Sequence, residues 1–138
     1  MIDSTKPKPL ITLTIPGRAM VLKNHKRIFG HGGKKRVLPS EKYMIWENQA
    51  MFSVVKQNKD KILIEREIIA VYSFYFENRS AEADVSNLIE GVQDIMVKAH
   101  LLKDDRLIMK LTAGKFFGYE PKTQVWLYSY DPDVAISI

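Results

Sequence analysis

The sequence predicts an α+β protein in which two amphipathic helices pack on a β-sheet, and three observations carry that prediction. Leu10–Ile15, Ile68–Phe76, Arg106–Thr112 and Thr123–Tyr130 are rich in β-branched or apolar residues and are bounded by proline, glycine or charged breaks, as strands are. The stretches after Ser40 and after Asp84 repeat apolar residues at helical spacing. At 138 residues, 46% hydrophobic and 27% charged, the chain suits one core, so a single domain over residues 1–138 is expected.

The charge balance narrows the partners. A formal net charge of +5 and a pI near 9.4 favour an acidic partner, with nucleic acid ahead of a membrane surface. The absence of cysteine removes disulfides, thiolate zinc sites and cysteine nucleophiles. Met1–Pro9 has no apolar run resembling a signal peptide, and no stretch reaches the length of a membrane span. A soluble cytoplasmic protein with no membrane partner is the expectation.

Taken in order, Leu10–Ile15 reads as a first strand stopped by Pro16-Gly17. Arg18 to Arg36 holds Arg18, Lys23, Lys26, Arg27, Lys34, Lys35 and Arg36 without a single acid, and its glycines argue for a mobile loop or ribbon. Such a loop can follow a phosphate backbone, each contact releasing condensed counterions; the plainer reading is a solvated loop. Ser40 is a candidate N-cap with Glu41 in the first turn, and Tyr43, Trp46, Ala50 and Val54 make a helical core stripe. Ile68–Phe76 begins with Ile68-Ile69-Ala70-Val71-Tyr72, apolar on both faces, as in a central strand covered twice. Ser86 or Asp84 then caps a helix running to about Ala99, buried through Leu88, Val92 and Ile95. Asp104-Asp105 introduce the strand Arg106–Thr112, Ala113–Lys122 reads as a loop because of Gly114 and Gly118, and Thr123–Tyr130 reads as the last strand of a hairpin.

Acids collect between Glu82 and Asp105 in this basic chain. Asn87, Glu90 and Asp94 share one helix face that continues from Asp84. If the helix packs back on the sheet, strand, helix and strand are expected to bring Asp84 and Asp105 together. Clustered carboxylates repel unless neutralised, and Mg²⁺ or Mn²⁺ takes a few such oxygens while keeping positions open for phosphate oxygens and water. The competing reading is ordinary acid placement at a helix N-terminus with a solvated face.

Asp84-Val85-Ser86-Asn87-Leu88, then Asp94, then Leu102-Lys103-Asp104-Asp105 resembles the RusA-type Holliday-junction resolvases of phages and prophages. That family's pattern reads Asp-x-Asp-Asn-Leu, then a lysine, then Asp-Asp before a strand, and its spacing is kept here without a gap. The element order and the basic N-terminal loop are similar too, and Lys115 resembles a lysine that the family often places after that strand. The resemblance implies a homodimeric α+β fold with a mixed sheet and Mg²⁺-dependent nicking of four-way DNA junctions. Asp84 matches the family's first metal-binding aspartate and Asp105 its last. The middle aspartate is Ser86 here and the helix lysine is Glu90.

Glu90, on the helix face leading from the site, is the first candidate for the missing carboxylate, followed by Glu82, two residues before Asp84. Ser86 could hold a metal-bound water, Asn87 would fix the turn, and Asp94 would support the cluster. The lead expectation is thus a junction endonuclease with Asp84, Asp105 and Glu90 as catalytic and, with Glu82, metal-binding residues. Lys23, Lys26, Arg27, Lys34, Lys35, Arg36 and Lys115 would hold DNA. The alternatives are a catalytically silent binder of branched DNA with the same fold, or a basic regulatory protein whose acidic helix binds another protein.

Overall fold

A computed structural model of the chain describes residues 7–21, 26–29, 36–79 and 83–138, with backbone alone for 26–29 and 36–39. The elements are β1 (Ile11–Pro16), β2 (Lys26–Phe29), β3 (Arg36–Pro39), α1 (Glu41–Gln57), β4 (Ile68–Phe76), α2 (Val85–Lys98), β5 (Ile108–Phe117) and β6 (Lys122–Ser129). Four strands form one mixed sheet in the order β1-β6-β4-β5; β4 runs parallel to β5, and the other pairings are antiparallel. With two helices in the buried cluster against this sheet, the architecture is α+β, as expected. β2 and β3 pair separately as an antiparallel ribbon, one of the two forms expected for the basic segment.

Local chemistry explains the elements that the sequence announces. The Ser40 Oγ accepts a hydrogen bond from the Tyr43 amide at 3.1 Å and fixes the start of α1. Tyr43, Trp46, Ala50 and Val54, the expected stripe, are its buried residues. β4 is buried along both faces except at Tyr75, which is half-buried. Its fully buried Phe74 alone stabilises the fold by about 1.5–3 kcal/mol. α2 buries Leu88, Val92 and Ile95, together with Ile89 and Met96, against the same cluster.

The C-terminal half departs from expectation in two ways. Residues 113–117 continue β5 instead of looping, because Gly114 answers crowding and not a turn: a Cβ there would stand 3.3 Å from Ile138 and Phe116 side-chain atoms. The turn is at Gly118, whose φ of +86° belongs to the left-handed region that favours glycine. The expected hairpin is also absent, since β6 pairs with β1 and β4 and not with β5. The Gly118 and Tyr119 amides donate to the Glu77 and Phe76 carbonyls, so the connection crosses the end of β4 to reach its far side.

The two sheet edges differ. At β1, the Gln57 side chain of α1 donates to the Thr14 carbonyl and accepts from the Thr14 amide, each at 2.8 Å, so the edge is partly occupied. At β5, no backbone hydrogen bond reaches the outer edge among the described residues, and Met109 and Leu111 are exposed. The tail lies near β5, where the Thr112 hydroxyl donates to the Ile136 carbonyl and Lys110 Nζ to the Pro132 carbonyl.

Candidate active site

Asp84 stands at the N-cap of α2 in extended backbone (φ −65°, ψ 139°). Its carbonyl accepts from the Asn87 and Leu88 amides, but its side chain makes no capping bond. The exposed carboxylate is therefore not consumed by the helix amides, as the competing reading of simple capping requires. Lys115 Nζ donates to the adjacent Ala83 carbonyl at 3.1 Å, which places this expected DNA-binding residue beside Asp84. Ser86 and Glu90 are exposed and Asn87 is half-buried along the first turns of α2.

At the other end of α2 the two neighbouring aspartates are distinguished by their partners. Asp104 accepts from the Arg106 amide at 2.8 Å and from its guanidinium at 2.9 and 3.2 Å. These bonds hold its carboxyl down at about 2. Asp105 opens the 3-10 turn Asp105–Leu107 and is exposed, and the Arg106 fork is directed to Asp104 instead. With Asp94, Lys98 and Lys103, the two aspartates line an open hollow of about 350 Å³.

Asp94 is where the acids press on one another. Burial pushes its carboxyl upward, and the Asp105, Glu90 and Glu47 carboxylates add to that while Lys98 opposes it. Lys98 is itself paired with Glu47 at 3.1 Å. Two phenols border the cluster and are pushed up to about 12, mainly by burial: Tyr43 beside Glu47, and Tyr72, whose hydroxyl accepts from Gln93. Both stay neutral at any working pH.

The topology does not bring Asp84 and Asp105 together in one chain, contrary to the expectation for a helix folded back on its sheet. Because β4 and β5 are parallel, Asp84 follows the carboxyl end of one strand and Asp105 precedes the amino end of the other. Positions 84 and 94 are separated by about 15 Å of helix rise, and Asp105 sits with Asp94. Among the described residues no three ligating side chains converge on one point. Glu82 lies outside the described residues, as do Lys23, Lys34 and Lys35. Lys26, Arg27 and Arg36 lie on the ribbon, whose side chains are likewise outside the description.

Arg18, which the sequence places in the basic segment without selecting it as a DNA contact, and Arg79, which it does not single out, stand at the Asp84 end. The Arg18 guanidinium lies 5.2 Å from the Phe76 ring, and that of Arg79 lies 4.3 Å from the Phe117 ring. Phe76 and Phe117 are register partners on β4 and β5 with rings stacked at 5.8 Å. No periodicity or motif joins these four positions, and only the strand pairing does.

The described helices include none long and apolar enough to cross a membrane. No curated protein matches the chain. The family model described as Endodeoxyribonuclease RusA matches residues 16–128, which takes in β4, β5, nearly all of β6, both α-helices and every described acid of the site, and leaves out β1 except for Pro16. The chain belongs to the RusA endodeoxyribonuclease family.

Proposed function

We propose that this protein is a divalent-metal-dependent endonuclease that nicks four-way DNA junctions in recombination and repair, and that it works as a homodimer. Beyond family membership, the observation that carries the reading is the Asp84 carboxylate, held at a helix N-cap yet unused by the helix. Its donor chemistry, with that of Asp105, Glu90 and Glu82, suits Mg²⁺ or Mn²⁺. Among the described residues, no three such donors of one chain converge on one point. A second copy paired antiparallel along the open β5 edge would set the Asp105 end of one protomer against the Asp84 end of the other. Two sites related by a two-fold axis would then face the two strands of a symmetric junction.

In that site Asp84 of one protomer and Asp105 of the other would hold the cation, with Glu90 ahead of Glu82 as the third carboxylate. Asp94 supports the cluster from behind, Asn87 fixes the turn, and Ser86 orders water. The cation, when bound, supplies positive charge that acidifies water and offsets charge gathering on the phosphodiester. Lys115 stands beside Asp84 to meet the backbone, and Lys23, Lys26, Arg27, Lys34, Lys35 and Arg36 extend the basic surface. The phage or prophage setting and cytoplasmic location accompany the family reading.

Mixing two inactive variants tests both parts. Asp84→Asn and Asp105→Asn should each abolish paired nicking of a synthetic junction in Mg²⁺. Mixed one to one and allowed to exchange, they should recover about a quarter of wild-type sites, since half the dimers are hybrids and each hybrid keeps one intact site. Nicking by the wild type without recovery in verified hybrids would place both acids in one chain. Junction binding by the wild type without nicking would instead favour the silent relative, to which Ser86 and Glu90 in place of the family's aspartate and lysine lend support.

A further inference from the structure

We infer that Arg18 and Arg79 form a phosphate clamp, propped on the Phe76–Phe117 pair, that grips the DNA backbone at the Asp84 end of the site. The four side chains stack in order. The Arg18 guanidinium lies 5.2 Å from the Phe76 ring, the rings lie 5.8 Å apart at 25°, and the Arg79 guanidinium lies 4.3 Å from the Phe117 ring. A guanidinium resting on a ring uses its face there and carries its N–H groups along its edge, the geometry that meets phosphate oxygens in pairs. The rings are anchored in the sheet: Phe76 is 1% exposed at the end of β4, and Phe117, half-buried, is its register partner.

Arg18 adds a second, independent sign. Its Nη2 is buried and has no hydrogen-bond partner among the described residues. A buried guanidinium donor without an acceptor is costly and uncommon, and an incoming anion removes the cost. No carboxylate forms a described ion pair with it. The location is also set by neighbours. Lys115 reaches the Ala83 carbonyl from the same end of β5, and the Met20 carbonyl, two residues past Arg18, lies 3.6 Å from where a Cβ on Gly91 of α2 would stand. Arg18 thus comes from the chain leaving β1 and Arg79 from the chain leaving β4, both at the end of the sheet where Asp84 begins α2.

The clamp rests on the nuclease reading for the identity of its polyanion, and a binding measurement without catalysis separates the two. Fluorescence anisotropy of a labelled four-way junction in EDTA, across a series of NaCl concentrations, reads affinity and the number of phosphate contacts. Arg18→Met and Arg79→Met should each weaken binding and shallow the salt dependence by about one contact, roughly eightfold in Kd per tenfold in salt. The double variant should lose about two contacts, and Arg18→Lys should keep the charge but recover only part of the affinity. Lys59→Gln, on the exposed turn after α1, is the control and should bind like any variant lacking one remote charge.

Thermal unfolding adds a readout independent of DNA. Arg18→Met, which removes the unpartnered donor, should melt no lower than the wild type, and inorganic sulfate should raise the wild-type midpoint more than that of the variant. Folded Arg18→Met and Arg79→Met proteins with the wild-type salt slope would overturn the clamp. If Arg18→Met fails to fold, the exposed Arg79→Met decides by itself, an unchanged slope again overturning the inference. A wild-type protein that does not bind the junction at low salt would overturn the nuclease reading itself.

Discussion

Both helices of this protein begin on a small polar residue in extended backbone, and the two residues are used differently. Ser40 turns its hydroxyl into α1 and accepts from the Tyr43 amide. Asp84 occupies the same position in α2 and leaves its side chain out of the helix. The first arrangement adds stability to its helix. The second gives up that bond and keeps a charged oxygen pair at a rigid place, beside a positive helix end. A similar division separates the adjacent acids Asp104 and Asp105, where the Arg106 fork is spent on Asp104. A carboxylate held by structure but not bonded by it is the one to suspect of chemistry.

The largest effect that could break this comparison is on activity. Asp84→Asn keeps a good N-cap residue, so its melting temperature should change by no more than about 1 °C. Its nicking rate should fall by more than about 100-fold, beyond what loss of an outer-shell partner costs. A variant that unfolds early instead would mean that Asp84 is structural after all.

Ser40→Ala should behave in reverse. It should lose about 1 kcal/mol in urea unfolding and keep its nicking rate per folded molecule.

The next effect tests crowding among the acids. Because the Asp94 carboxyl is pushed up in the folded state, ionising it costs stability at pH values above its folded pKa and costs nothing below the ordinary value of 3.8. Asp94→Asn should therefore raise the melting temperature at pH 7 and leave it unchanged near pH 3. Equal gains at both values would show that electrostatic crowding is not the cause.

The smallest effect belongs to Asp104. Its folded value of about 2 lies below 3.8, so its pairing with Arg106 stabilises the protein above about pH 4 and is lost as pH falls through about 2. Acid titration of unfolding should show the difference between wild type and Asp104→Asn closing across that window. The pair is exposed, so the difference should be small.

Much of the local structure was legible because it depends on neighbours in sequence. The Ser40 cap, the α1 stripe and the doubly apolar β4 all follow from residues within a few positions of one another. What failed depended on partners far along the chain. Gly114 looked like a turn because the crowding that requires it comes from Ile138 and Phe116, and the Phe116 neighbour alone gives no such sign. The separation of Asp84 from Asp105 follows from β4 and β5 being parallel, which neither strand's sequence declares. The motif Asp84…Asp105 identified the acids, but their arrangement required the sheet. Arg18 was visible as one base of the acid-free segment, but its pairing with Arg79 was hidden for the same reason, since their shared support exists only once Phe76 meets Phe117.

The position of β6 has a consequence for how the protein is made. Of the four strands of the sheet, the one that joins β1 to β4 is made last, so β1 waits through more than a hundred residues for its partner. Until then the sheet can form only its β4–β5 half, and the apolar inner side of β1, with Leu13 and Ile15, has no strand beside it. Contacts so distant in sequence are slow to form because a long loop must close before they stabilise anything. The sheet is completed from its final strand inward, and a chain stopped before Lys122 would lack the strand that ties its beginning to its centre.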